Sequence, residues 1–513
     1  MLPLQLQGES HIPLYVQLCD QLRALVHAGE LRPGDRIPAS RELAQHLGVH
    51  RTTVANAYAE LESEGLIQGH VGRGTYIRAN SRPLQIEPPP PALVPGGAIR
   101  WESLFADERG DDALDRLIRT MPGNGVSFVV ARPAYEYFPL NEMRSCCNAV
   151  MRREGARILP FGAAEGYPPL RTALLELLRG EGLQIREDNL LISSGGQQAL
   201  DLICKAFLRP GDAVVVENPT YPGAIAVLGA ARARCLGIPV RTESGPGATP
   251  GLDLAALEQT LAANRVKLMV LIPDFHNPTG LSMPLAARRR LLEIAAKHQV
   301  PIIEDHIYAR LLGHGERLPS LKQLDRSNLV IQIDSFSKMA FPGLRVGWIV
   351  APPNVIERLR VVKQSSDLHT DQLSKAVLAE FVRRGLLARH LARMRKLYAS
   401  RLAAAEEALE RHMPSDTRWT HPDGGMCIWV ELPPGLDANE LLVRARERGV
   451  LFAPGRYFYV QSPQPNTLRL GFSGVEERQI ARGIATLGEV LRAELSKRQR
   501  GARRFEPARV ALV

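Results

Sequence analysis

Leucines at 14, 18, 22 and 25 fall on one stripe with the 3.6-residue period, which predicts a first helix ending near Gly29. Pro33-Gly34 reads as a turn. Ser40 reads as the N-cap of a short helix over 41–47 that turns Leu43 and Leu47 inward and stops at Gly48. A third helix begins near His50 and buries Val54, Tyr58 and Leu61. Its other face offers Arg51, Thr52, Ala55, Asn56 and Ala59, short or basic and free of acids for two turns. After Gly65, strands over 66–71 and 75–78 flank Gly72-Arg73-Gly74 and predict a wing.

The pattern then breaks. Pro88 to Pro91 and Pro95-Gly-Gly exclude a packed helix or an inner strand, so 79–125 reads as a spacer, with some helical pattern returning over 101–119. Beyond residue 126 short β-branched runs alternate with longer amphipathic stretches. The runs at 189–193, 213–217, 267–272, 301–304, 329–333 and 346–350 are continuously apolar, which predicts a mostly parallel sheet buried on both faces. The expected division is 1–78, a spacer 79–125, an α/β body 126–496 and a mobile basic tail 497–513.

A chain of 513 residues exceeds one ordinary core, in keeping with that division. With 45% hydrophobic and 23% charged residues, global disorder is excluded. No apolar run reaches the roughly 18 residues of a membrane span, and the first residues lack the basic start and apolar core of a secretory signal, so a cytoplasmic place is expected. The six cysteines show no C-x-x-C spacing and read as reduced thiols rather than a zinc or disulfide framework. The net charge of +10 invites a nucleic-acid partner, but residues 1–80 carry seven arginines against eight acids, whereas 497–513 carries six basic residues against one acid. The tail either adds nonspecific phosphate contacts or is simply a solvated end.

A helix whose exposed face is free of acids for its first two turns, on a small domain with a wing, suits the major groove of DNA. On helix pattern alone, a protein-contact domain would serve equally. The full string, from Pro13-Leu14-Tyr15 through Gly29-Glu-Leu-Arg-Pro-Gly34, Pro38-Ala-Ser-Arg41-Glu-Leu-Ala, Leu47-Gly-Val-His-Arg51-Thr-Thr-Val and Gly72-Arg-Gly-Thr75, resembles the GntR-family winged helix-turn-helix over about 65 residues. That resemblance implies contacts with double-stranded operator DNA from Arg41, His50, Arg51, Thr52, His70 and Arg73. His50 stands where the family often has Ser or Thr, and Ala55 where some members are basic, which bears on the operator read.

In the body, five polar motifs follow or end five apolar runs: Ser193-Ser-Gly195-Gly196-Gln197, Glu217-Asn-Pro-Thr-Tyr221-Pro, His276-Asn277-Pro-Thr-Gly280, Glu304-Asp305-His-Ile-Tyr308 and Asp334-Ser335-Phe-Ser337-Lys338. Ligands of open α/β sheets bind beyond the carboxyl ends of the strands, so the five predict one site. Gly195, Gly196 and Gln197 open a helix whose N–H groups suit an anion; Arg345, Ser335 and Ser337 complete a phosphate cup. Asp305 suits a protonated ring nitrogen, Tyr308 and Asn277 a phenolic oxygen, and Tyr221 a stacked ring. Lys338, one of nine lysines against 55 arginines, is the amine able to form a Schiff base with an aldehyde. Together these describe pyridoxal 5′-phosphate.

The order and spacing resemble fold-type I aminotransferases over about 370 residues, a match that Gly455 and Arg469 extend. The resemblance implies that Arg469 clamps a substrate or effector carboxylate, so an amino acid or amine ligand is expected. It departs at Phe161, where the family usually has a tyrosine that reaches the partner subunit's cofactor phosphate. A GntR reader joined to such a body resembles the MocR subfamily of bacterial regulators. That implies a homodimer, domain-swapped head to tail, controlling vitamin B6 synthesis or genes for an amino compound. Two rivals stand beside it: an active aminotransferase with an ancillary DNA domain, and a regulator whose body has lost its cofactor.

Overall fold

The computed structural model describes residues 2–6, 13–70, 74–78, 125–242, 250–313 and 315–504, with the backbone alone for His27, His70 and 499–504. Contacts divide the chain into two compact units, Met1–Asp107 and Glu108–Val513. Arg73, the spacer as far as residue 124 and the chain from 505 lie outside the described residues.

The first unit runs α1 (Leu14–His27), β1 (Arg36–Ile37), α2 (Ser40–Leu47), α3 (Arg51–Ser63), β2 (Ile67–His70) and β3 (Gly74–Ile77). Leu18, Leu22, Leu43, Val54, Tyr58 and Leu61 form its core, each full burial contributing roughly 1.5–3 kcal/mol. Leu14 and Leu25 sit at the margin. Ser40 departs from expectation: it is already helical, and Ala39 holds the N-cap position without a side-chain bond. The wing strands pair from Ile67 opposite Ile77 to His70 opposite Gly74, and β1 adds a third strand on β3. A two-residue strand has no period to betray it in the sequence.

The second unit contributes β4 (Val126–Ser127), β5 (Leu190–Ser193), β6 (Ala213–Asn218), β7 (Arg234–Arg241), β8 (Gly251–Leu252), β9 (Val266–Leu271), β10 (Ile302–Asp305), β11 (Val330–Ser335) and β12 (Gly347–Val350). All but β4 form one sheet in the order β5-β12-β11-β10-β9-β6-β7-β8. Every residue of β5, β10, β11 and β12 is buried, as covered sheet faces require. Strand β12, the apolar run near 346–350, is antiparallel to both neighbours, because hydrophobicity carries no sense of direction. Strand β7 escaped sequence reading: Gly237 and Pro239 interrupt it, and it is partly exposed beside the two-residue β8.

Further along come β13 (Arg418–Trp419), β14 (Cys427–Glu431), β15 (Val450–Leu451), β16 (Ala453–Pro454) and β17 (Thr467–Gly471). Four of them make an antiparallel sheet ordered β13-β14-β17-β16, while β15 pairs with β4. The closing helix, Glu477–Arg504, corrects the expected mobile tail as far as 504. Lys497 pairs with Glu494 at 2.7 Å, and Arg498 approaches Glu440 at 3.7 Å and donates to the Gly435 carbonyl. No described helix is long and apolar enough to cross a membrane.

Candidate functional site

Strands β6, β9, β10 and β11 run parallel, so their carboxyl ends share one edge. A cavity of about 180 Å³ opens there. Gly196, Gln197, Tyr221, Asp305, Tyr308, Ser335, Ser337, Lys338 and Arg345 all line it. Gly195 and Asn277 do not line it but hold residues that do.

Gly195 has φ +84°, and a Cβ there would lie 2.6 Å from Nη2 of Arg345. The helix Gly196–Phe207 starts immediately after it. Opposite that N-terminus, Arg345 Nη1 donates to Ser337 Oγ at 3.2 Å, and Ser335 Oγ bonds Ser337 Oγ at 2.9 Å. Ser335 also caps the Phe336–Met339 turn by accepting from the Ser337 N–H at 3.1 Å. The result is a cup of hydroxyls, a guanidinium and free helical N–H groups, which suits a phosphate.

Asp305 ends β10, and burial pushes its carboxyl up to about 7, opposed by the Ile307 N–H it accepts at 3.1 Å. The Asp334 and Glu217 carboxylates push the same way as burial. Such a carboxyl lacks only a cation to hold it ionised, and a ring N–H⁺ would supply one. Lys338 Nζ donates to the Ala131 carbonyl at 2.7 Å and forms no ion pair among the described residues. Its surface is only partly covered because it opens onto the cavity, yet desolvation, then Arg469, pull it down to about 8.

Arg469 on β17 donates to Asn277 Oδ1 at 2.8 Å and to the Val129 carbonyl at 2.5 Å, while its buried Nε has no partner. Asn277 Nδ2 in turn donates to Tyr308 Oη at 3.4 Å. Sequence reasoning missed the thiol of Cys427, which donates to the Pro278 carbonyl at 3.4 Å and which burial raises to about 11. It also missed the buried network around Asp334 on the neighbouring strand. Asp334 accepts from Arg310, from His306 Nδ1 at 3.1 Å and from the Ser335 N–H at 2.7 Å. Burial alone would raise Asp334, but Arg310 and His306 hold it below its ordinary value. No periodicity flags such groups, because their partners lie far away in sequence. Phe161 is 85% exposed, its ring edge-on to His369 with centroids 5.6 Å apart.

In the first unit, Arg41, His50, Arg51 and Thr52 are exposed, as are Ala55, Asn56 and Ala59 of α3. His50 also serves as the N-cap of α3, its Nδ1 accepting from the Thr52 N–H at 3.4 Å and lying 2.8 Å from Thr52 Oγ1. His70 is the last residue of β2.

The sequence profile "Aminotransferase class I and II" matches residues 135–487. The chain belongs to that family. A second profile, "Bacterial regulatory proteins, gntR family", matches residues 14–77, so a GntR-type DNA-binding unit precedes the aminotransferase body, the MocR arrangement. The uncharacterized HTH-type transcriptional regulator YdfD of Bacillus subtilis is 31% identical over 95% of this chain and 98% of its own. The probable rhizopine catabolism regulatory protein MocR of Rhizobium meliloti is 29% identical over 94% of this chain and 95% of its own. Among solved structures, the α-aminoadipate aminotransferase LysN of Thermus thermophilus, complexed with N-(5′-phosphopyridoxyl)-L-leucine, superposes with TM-score 0.71 at 36% identity, covering 78% of this chain and all of its own.

Pyridoxal 5′-phosphate is the cofactor of this MocR-type body's family. The residues present fit it. A buried carboxyl lacks a cation, a partly covered amine lacks an anion, a glycine stands where a Cβ would strike the phosphate-side arginine, and an orphaned guanidinium nitrogen waits on Arg469.

Proposed function

We propose that this MocR-type chain is a transcriptional regulator that reads operator DNA with α3 and the wing and senses pyridoxal 5′-phosphate, an amino compound, or both, in the body. One observation carries the reading: Lys338, with its amine drawn down to about 8, lines the same cavity as the phosphate cup and Asp305, in a chain that also presents a DNA-reading helix. When bound, pyridoxal 5′-phosphate supplies an aldehyde and an electron-withdrawing ring. Lys338 Nζ is the amine that would hold that aldehyde, and its lowered pKa leaves a usable neutral fraction near pH 7. Asp305 holds a proton on the ring nitrogen, Ser335, Ser337, Arg345 and the N–H groups of Gly196 and Gln197 hold the phosphate, and Tyr221 packs on the ring. Tyr308 and Asn277 hold the phenolic oxygen. Arg469 binds the carboxylate of an amino compound.

On the DNA side, Arg41, His50, Arg51 and Thr52 meet the operator, with His70 and Arg73 from the wing. The working form is a homodimer. Leu140, Leu159, Phe161 and Leu368 are 68%, 72%, 85% and 59% exposed on the body and are the apolar groups a subunit contact would cover. A chromosome-reading protein of this type works in the cytoplasm. Gel shifts with and without cofactor and candidate amines test the reading. Operator affinity that changes roughly five- to 150-fold supports it, as a coupling of roughly 1–3 kcal/mol requires. Identical affinity under every condition overturns the sensing.

The intact set of Lys338, Asp305 and Arg469, and the 36% identity to LysN, also favour a second reading in which the body turns over amino acids. Steady transamination at about 1–10³ s⁻¹ would establish that reading.

A further inference from the structure

A second cavity lies where the chain beyond Tyr308 meets the long helix Leu386–His412. It measures about 640 Å³ and is lined by Gly313 and Arg317 on one side and by Arg395, Lys396 and Ala399 on the other. Helical spacing puts the last three on one face. Arg395 Nε donates to the Arg310 carbonyl at 2.8 Å, which fixes the guanidinium, yet its terminal nitrogens have no partner among the described residues. Lys396 is exposed and forms no ion pair among them either. Glu181, the carboxylate that acts on Arg395, is already shared by Arg310 at 2.7 Å and Arg317 at 3.0 Å. Three cations, Arg317, Arg395 and Lys396, thus line the cavity, and no carboxylate stands among the described residues that line it. Glu316 and Asp423 line the adjoining cleft but are exposed to water. Desolvation and the like charges of Arg317 and Arg310 lower the Arg395 pKa, so the cluster is held together against its own repulsion.

We propose that this cavity is a second ligand site, for a small dianion of the phosphate-monoester class, and that its occupancy reaches the cofactor cavity through Arg317. The path is a chain of hydrogen bonds. Arg317 Nη2 lies 3.1 Å from His306 Nε2. Arginine can only donate, so Nε2 accepts and the ring proton sits on Nδ1, toward Asp334. Asp334 then accepts the Ser335 N–H, at the start of the turn that carries Ser337 and Lys338. A dianion that recruits Arg317 withdraws the donor that fixes His306, and so loosens Asp334 beside Ser335 and Asp305. Because binding free energies are reciprocal, the cofactor must alter the dianion's affinity by the same factor as the dianion alters the cofactor's.

The site stands on the cluster alone, whereas the coupling rests on the cofactor reading above, and the test separates them. Full-length, cofactor-loaded protein is titrated calorimetrically with inorganic phosphate against chloride of equal ionic strength. One phosphate per chain is expected, with affinity at least tenfold weaker in Arg395→Gln/Lys396→Gln and measurably weaker in Lys396→Gln, an exposed change that spares the fold. Cofactor affinity measured with and without phosphate should then differ threefold or more in wild type and not in the double variant. Equal titrations for wild type and the double variant overturn the site, as does binding that chloride abolishes. A double variant that weakens operator binding with no phosphate effect assigns the cluster to the DNA backbone and also overturns it. Normal phosphate binding with unchanged cofactor affinity overturns the coupling. Failure to load cofactor overturns the cofactor reading instead, and the site is then judged on the cofactor-free chain, where wild type should bind one phosphate more than the double variant.

Discussion

Asp305 and Lys338 are shifted in opposite senses, and the cavity between them shows in how each responds to pH. Asp305 sits at about 7 when folded against an ordinary value of about 4. The folded chain therefore keeps a proton that the unfolded chain releases, and stability is lost as pH rises from about 4 to about 7. Lys338 sits at about 8 against an ordinary value of about 10.4, so its penalty is present below about 8 and relieved as pH climbs toward 10.4. In the cofactor-free protein, Asp305→Asn should be more stable than wild type by roughly 2–4 kcal/mol at pH 8 and no more stable at pH 4. Thermal unfolding at the two pH values checks this. The same variant should hold cofactor less tightly, since an amide cannot pair with a ring cation. Lys338→Ala should lose the visible absorption band and resist borohydride trapping in cofactor-soaked protein; a band that persists would place the reactive amine elsewhere.

Single elements set the next level of control. Helix α3 starts at a histidine cap rather than the more common hydroxyl or carboxamide. Removing the cap by His50→Ala should cost about 1 kcal/mol in the unfolding transition of the first unit, and His50→Ser should restore most of it. Calorimetry on the full chain reads both. If operator affinity falls in both variants while stability recovers in Ser, the imidazole contacts DNA as well as capping the helix. The junction from β5 to the helix Gly196–Phe207 is equally exacting. Gly195→Ala would force a left-handed φ on a residue whose Cβ meets Arg345, and should weaken cofactor binding tenfold or more with the strands intact. Absorbance titration would show it.

At the scale of the whole molecule, the two units answer different demands: the first needs an exposed helix whose first two turns carry no acid, the second a buried sheet that aims side chains at one edge. The homodimer expected from the exposed Phe161 and Leu159 should appear by sedimentation at twice the chain mass, and Phe161→Asp should shift it toward monomer. A protein that sediments as a monomer at every concentration would remove that part of the proposal.

Much of this was legible in the sequence because the signals are local. The leucine stripe of α1, the inward positions of α3, and the apolar runs ending in Gly195-Gly196, Asp305 and Ser335-Phe-Ser-Lys338 follow from periodicity and from the chemistry of neighbouring residues. What sequence could not fix depends on partners distant along the chain. The direction of β12 comes from pairing with β5 and β11, the short strands β1 and β8 exist only through their neighbours, and the Asp334–His306–Arg317 path joins residues that no spacing connects. The sequence alone thus determined which polar side chains end the apolar runs and could meet at one sheet edge, since residue type and order suffice for that. Only the tertiary structure decided their charge states and second roles, the raised Asp305, the lowered Lys338 and the capping His50, because burial and hydrogen bonding exist only once the chain has folded.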